Sequence, residues 1–218
     1  MNEPGLNKRA KRIGMFGGAF DPPHNAHLAL AQIACESLEL DALYVVPTGQ
    51  AWHKARGLTA SEHRLAMARL AFADLPDVVV DARETYRAGP TFTIETLRAL
   101  QAENPGAQLY LVMGADQWAA FKQWHEWQAI VDIAILCVAA RAQFNWDRAR
   151  FDPQNERKIN VVMLRMPSMA ISATQIRQLL AGGLGENQAT GDQIASSLPQ
   201  SVARYIAEHQ LYTAPSLY

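Results

Sequence analysis

The sequence predicts an α/β protein built on a doubly wound, mostly parallel sheet, with helices on both faces and a small helical C-terminal part. Short apolar runs alternate with amphipathic stretches along the chain, the order expected of strand–helix–strand units. The strand candidates are continuously apolar rather than alternating, as strands covered on both faces are. Size agrees, because 218 residues with 49% apolar and 19% charged residues suffice for one sizeable core.

The elements follow in order. Residues 12–16 read as the first strand. Residues 26–38 read as an amphipathic helix, with Leu28, Ala31, Gln32, Cys35 and Leu38 near helical spacing. Strands are expected at 42–46, 78–81, 109–113, 133–138 and 160–164. Helices are expected at 61–73, 93–103, 115–121, 126–130, 174–181 and 199–209. Between them, 47–59, 83–90, 140–158 and 182–193 read as loops, the last two long and polar. No repeat, low-complexity tract or linker interrupts the pattern. The expectation is a single domain over 1–218, with 1–11 flexible and 172–218 forming the helical C-terminal part.

A formal net charge of −1 gives no global basic field for nucleic acid. Anion binding must therefore come from a local site. Cys35 and Cys137 have neither metal-ligand spacing nor a Cys-x-x-Cys pattern, and read as reduced, buried thiols. Residues 1–12 are basic but lack the apolar run of a signal peptide. No apolar run of about 18 residues is present, so no membrane span is expected. Cytoplasmic location is the expectation.

Four constellations carry possible chemistry. The first is Gly17-Gly18-Ala19-Phe20-Asp21-Pro22-Pro23-His24-Asn25-Ala26-His27, between the first strand and the first helix. Two glycines let a ligand approach the backbone, and a helix N-terminus adds amide donors that suit phosphate. His24 and His27 are spaced to share a helix face and to donate to phosphate, more strongly if protonated. A zinc site from His24, His27 and Asp21 is less favoured, because no third ligand at a recognised spacing follows. The glycines do not form a dinucleotide fingerprint.

The second is Ile171-Ser172-Ala173-Thr174-Gln175-Ile176-Arg177, where Ser172 and Gln175 form a capping-box pattern. Arg177 then lies early in a helix, where a cation is unfavourable unless an anion binds beside it. An arginine with its head in water is the equal alternative. The third is Trp52-His53-Lys54, a basic loop after the second strand. The fourth is Gly114-Ala115-Asp116-Gln117-Trp118 with Trp124-His125-Glu126-Trp127. Asp116 can accept from a ribose hydroxyl and Trp124 can stack on a flat ring, although tryptophans are more often core or rim residues.

Gly-Gly-x-Phe-Asp-Pro-x-His-x-x-His, paired with Ile-Ser-x-Thr-x-Ile-Arg, resembles the nucleotidyltransferase superfamily that uses a His-x-Gly-His motif. Within it the chain is similar to the bacterial nicotinate-nucleotide adenylyltransferases. The length, Gly114-Ala115-Asp116, the Trp124 segment and the ending Leu198-Pro199 to Tyr212 support that family. The resemblance spans about residues 13–212.

It implies a Rossmann-like fold and a site residue by residue. His24, His27 and Arg177 are the catalytic candidates. Gly17, Gly18, Ala19, Phe20, Lys54, Asp116, Ile171 and Ser172 join them in ATP binding. His53, Thr93, Trp124 and His125 fall where the family holds its nicotinate nucleotide. Ala26 stands where the motif has Gly, and Ala19 where Thr or Ser is usual. The implied reaction is adenylyl transfer from ATP, carried with Mg²⁺, to nicotinate mononucleotide, with no protein metal site. A phosphate monoester is mostly dianionic at neutral pH, so the attack needs no general base. Alternatives are another acceptor (nicotinamide mononucleotide or phosphopantetheine), a non-catalytic nucleotide-binding module, and the zinc hydrolase. The expected partners are small-molecule substrates.

Overall fold

Seven residues, Arg12–Gly18, form strand β1, which lies inside the sheet. The computed structural model describes residues 9–49, 58–140, 151–152, 157–167, 169, 171–182 and 188–213. Ile13 and Met15 of β1 face one apolar cluster and Phe16 the other, the alternation a two-sided strand requires. Gly14 has no side chain for a packing reason: a Cβ there would stand 2.6 Å from the Leu40 and Leu43 side chains.

β1 pairs in parallel with β2 (Ala42–Pro47) on one side and β4 (Gln108–Gly114) on the other. β2 carries the edge strand β3 (Val78–Val80). β4 carries β5 (Ala134–Ala140), which carries β8 (Val161–Arg165). The order is β3-β2-β1-β4-β5-β8, and every pairing is parallel. Chain direction across the sheet reverses between β1 and β4, which makes their carboxyl ends the expected ligand crevice.

Helices α1 (Asn25–Leu38) and α2 (Ser61–Phe72) cover one face. They are joined there by the C-terminal helices α6 (Ala173–Ala181), α7 (Gln188–Ser197) and α8 (Gln200–Glu208). Helices α3 (Thr93–Glu103) and α5 (Trp127–Ile133) cover the other, burying Ile94, Leu97, Leu100 and Ile130. The short α4 (Ala115–Ala119) follows β4 directly.

Several expected elements shift. The buried face of α1 is Leu30, Ala31, Ala34 and Leu38, whereas Gln32 is exposed and Leu28 and Cys35 are half-buried. The helix expected at 115–121 is α4 followed by a 3-10 turn, Phe121–Gln123. The helix expected from 126 begins one residue later and reaches Ile133, because Glu126 is left-handed at φ 49° and stands outside it. Residues 188–193, read as loop, open α7. Its Gln-Ala-Thr-Gly-Asp sequence has little helix propensity, and the helix is anchored by buried Ile194 and Ser197. Within 140–158, also read as loop, β6 (Phe151–Asp152) and β7 (Arg157–Lys158) form a short antiparallel pair.

Candidate active site

The turn after β1 is held by its carbonyl groups. Gly18 O accepts from Thr48 N at 2.8 Å and from Thr48 Oγ1 at 3.1 Å. Ala19 O accepts from Arg64 Nη1 at 2.9 Å, and Asp21 O accepts from Arg177 Nη1 at 2.7 Å. Between them Phe20 is left-handed at φ 48°, a conformation that costs a bulky residue about 1–3 kcal/mol. The strain is held by burial: the Phe20 ring packs edge-on against Phe16, Phe72 and His27 at 5.1–5.8 Å.

His24 is the N-cap of α1 and His27 lies in its first turn. Their rings stack at 3.8 Å between centroids. The His24 amide donates to His27 Nδ1 at 3.2 Å, which leaves the proton of a neutral His27 ring on Nε2. Burial pushes the His24 imidazole down to about 4, so it is neutral at pH 7. The sequence left the charge of His24 open, and burial decides it: desolvation outweighs any gain from charge. Its Nδ1 is buried without a hydrogen-bond partner.

Asp21 joins this turn to the chain's end. Its carboxylate accepts from Tyr212 Oη at 2.7 Å and from the Thr59 amide at 3.4 Å. The Tyr212 phenol is pushed up by burial and by Asp21, so it stays a donor. Ser172 is the N-cap of α6, its Oγ accepting from Gln175 N at 3.2 Å and donating to Gln175 Oε1 at 2.9 Å. Arg177, half-buried, sends Nη2 to Thr174 Oγ1 at 3.1 Å besides its bond to Asp21. Neither sequence alternative for Arg177 included that contact, which bolts the C-terminal helices to the turn. Ile171 packs against the same core.

A cavity of about 350 Å³ opens beside the turn, at the carboxyl ends of β1 and β4. Gly17, Gly18 and Ala19 form one wall, Asp116 and Gln117 a second, and Thr93, Trp124 and His125 a third. A Cβ at Gly114 would stand 2.6 Å from Asp116 Oδ1 and would displace that carboxylate from its present position. His125, exposed at the rim, lies tilted against Phe92 at 4.3 Å, and Trp124 leans on buried Phe121 at 5.6 Å. Phe92 is the N-cap residue of α3 and makes no side-chain cap bond, so Thr93 stands at an uncapped helix start. Buried Glu84 lies behind this wall, taking a 2.7 Å bond from Thr96 Oγ1. Burial raises its carboxyl above the usual range, against the Thr96 and Thr91 hydroxyls.

The structure thus gathers Gly17, Gly18, Ala19, Thr93, Asp116, Trp124 and His125 on one cavity. Phe20, His24, His27 and Arg177 meet through the turn, with Ser172 at the N-terminus of the helix that carries Arg177. His53 and Lys54 lie outside the described residues. Among those described, no group of three His, Cys, Asp or Glu could hold a metal ion. Burial pushes the Cys35 thiol up to about 11 and Cys137 to about 12, so both stay protonated at neutral pH. No helix among the described residues is long and apolar enough to cross a membrane.

Sequence reasoning missed Arg64, Thr48, Glu84 and Phe92. Arg64 had a signal, because it shares a helical stripe with Ala68 and Ala71. A charge on a small apolar stripe marks a buried ion with fixed partners.

Known proteins match this chain in sequence and in fold. Residues 15–179 match the cytidylyltransferase-like family. A protein of Albidiferax ferrireducens named "Probable nicotinate-nucleotide adenylyltransferase" is 50% identical, with 93% of this chain and 98% of the relative covered. One of Bordetella petrii with the same name is 41% identical, over 93% and 99% of the two chains. The solved Plasmodium falciparum nicotinic acid mononucleotide adenylyltransferase complexed with NaAD superposes with a TM-score of 0.71. At 19% identity over 93% and 97% of the chains, that likeness concerns the fold. By sequence and near full-length coverage, the chain belongs to the nicotinate-nucleotide adenylyltransferases of the cytidylyltransferase-like family.

Proposed function

We propose that this protein transfers the adenylyl group of ATP to nicotinate mononucleotide, giving nicotinate adenine dinucleotide and pyrophosphate, a step of NAD biosynthesis. One observation carries the reading: an aromatic-walled cavity at the β1–β4 crevice adjoins a turn with two stacked histidines. The cavity suits a flat pyridine nucleotide and the turn a triphosphate.

In this reading, a 5′-phosphate oxygen attacks the α-phosphorus of ATP. The bond from that phosphorus to the pyrophosphate oxygen breaks, and pyrophosphate carries off the electron pair. The barrier is charge repulsion, so the protein positions and neutralises rather than moving protons. His27 donates from Nε2 to a phosphate oxygen. His24 does so as a neutral ring. Arg177, Ser172 and Lys54 complete the triphosphate contacts, with Ile171, Phe20 and Asp116 on the nucleotide. His53, Thr93, Trp124 and His125 hold the acceptor. Mg²⁺ carried with ATP would neutralise part of the phosphate charge, and would need no cage of protein ligands. Use of ATP and a pyridine nucleotide supports a cytoplasmic location.

The test is an incubation with ATP, Mg²⁺ and either nicotinate or nicotinamide mononucleotide, measuring pyrophosphate and dinucleotide. Preferential dinucleotide formation from the acid is expected. Equal use of the amide overturns the acceptor, and absence of product with any acceptor overturns the enzyme.

A further inference from the structure

The geometry points to Arg64 as a positioning residue of the phosphate-binding turn: one buried guanidinium holds three main-chain carbonyls and so fixes the peptide planes beside Phe20. Arg64 lies in α2, is 2% exposed and never reaches the cavity lining. Each of its three nitrogens donates one hydrogen bond. Nε donates to Thr59 O at 2.8 Å, Nη1 to Ala19 O at 2.9 Å and Nη2 to Gly49 O at 3.2 Å. Those carbonyls belong to three separate segments: the turn after β1, the end of β2 and the approach to α2.

The consequence for the turn follows from peptide geometry. In a trans peptide the N–H points opposite to the C=O. A hydrogen bond from Arg64 to Ala19 O therefore turns the Phe20 N–H away from α2. Thr48, on Gly18 O, sets the Ala19 N–H in the same way. Left-handed Phe20 would relax if its neighbours let it. Arg64 on the preceding carbonyl and Arg177 on the following residue's carbonyl prevent that.

The choice of arginine fits. Burial lowers the Arg64 pKa and the Asp21 carboxylate opposes that shift, so a buried cation is held here by a nearby counter-charge and by carbonyl partners. Lysine would carry the charge but not span three carbonyls in a plane.

This role rests on the adenylyl-transfer reading, and the experiment separates the two. Wild type, Arg64→Lys and Arg64→Ala are assayed with ATP and nicotinate mononucleotide, and ATP affinity is measured separately by calorimetry. Arg64→Lys is expected to unfold cooperatively yet lose about 10- to 100-fold in kcat. Its KM for nicotinate mononucleotide should stay near wild type while its affinity for ATP falls. Millimolar guanidinium should restore part of the activity of Arg64→Ala, and methylammonium should not. Full activity in Arg64→Lys overturns the role. So does a loss shared equally by both substrates' KM, tracking thermal stability and unmoved by guanidinium. An inactive wild type is a failure of the reaction alone. Unchanged ATP affinity in both variants then overturns the positioning.

Discussion

The two halves of the site are built oppositely. On the turn side, Asp21, Arg64 and Arg177 are committed to partners inside the protein, and the backbone is strained but fixed. On the cavity side, about 350 Å³ stays open between aromatic rings and the uncapped start of α3. The difference follows the proposed chemistry. Charge stabilisation gains from donors that need no reorganisation, whereas accepting a nucleotide needs an open, mostly apolar wall. Loss of a turn residue should therefore act on rate, and loss of a cavity residue on acceptor affinity.

The largest expected effect is on the turn side. His27→Ala removes an Nε2 donor already fixed by the His24 amide, and should lower turnover by about 10²–10³-fold. Single-turnover measurement at saturating substrates reads this directly. A near-normal rate would place the charge stabilisation elsewhere.

Next comes a pH effect. The His24 ring is held near 4 in the folded protein against an ordinary 6.5. The unfolded chain therefore binds the extra proton between those values, and stability falls as pH drops through that window. Above pH 6.5 this group contributes no pH dependence. Below pH 4 the accumulated loss is about 3 kcal/mol. Urea unfolding at pH 7 and at 4.5 should show the loss in wild type and much less of it in His24→Gln. An equal loss in both would assign it to other groups.

The contrast between the halves also marks what the sequence could tell. All six strands of the main sheet were legible, because continuous apolar runs carry their own signature. So were Ser172 as a cap and the histidine turn, since both are local patterns. Arg64 reaching Ala19, and Asp21 reaching Tyr212, join residues far apart in the chain. No local pattern encodes such partners. The same holds for His24, whose shifted ionisation comes from burial that its neighbours in sequence do not reveal. Helix α7 was illegible for the converse reason: its residues are indifferent helix formers, and packing decides.

On the cavity side the expected effect is smaller and of another kind. Trp124, half-buried on the wall with Thr93 and His125, should lose stacking when replaced. Trp124→Ala should raise KM for nicotinate mononucleotide about tenfold, the equivalent of one aromatic contact, with ATP affinity near wild type. Steady-state kinetics with each substrate varied in turn reads the split. A fall in kcat with unchanged KM would erase the division between the two halves.

The smallest effect concerns Ala26, which stands where the family motif has Gly. It sits in the first turn of α1, half-buried between the two histidines in sequence. Alanine favours the helix over glycine by about 0.5–1 kcal/mol, so Ala26→Gly should cost about that much in chemical denaturation. Because the turn is fixed by carbonyl contacts on residues 18, 19 and 21 rather than by this side chain, ATP affinity should change by no more than about twofold. A large gain in ATP affinity would instead mean that the methyl group obstructs the nucleotide. The rigid half of the site would then owe part of its shape to residue 26.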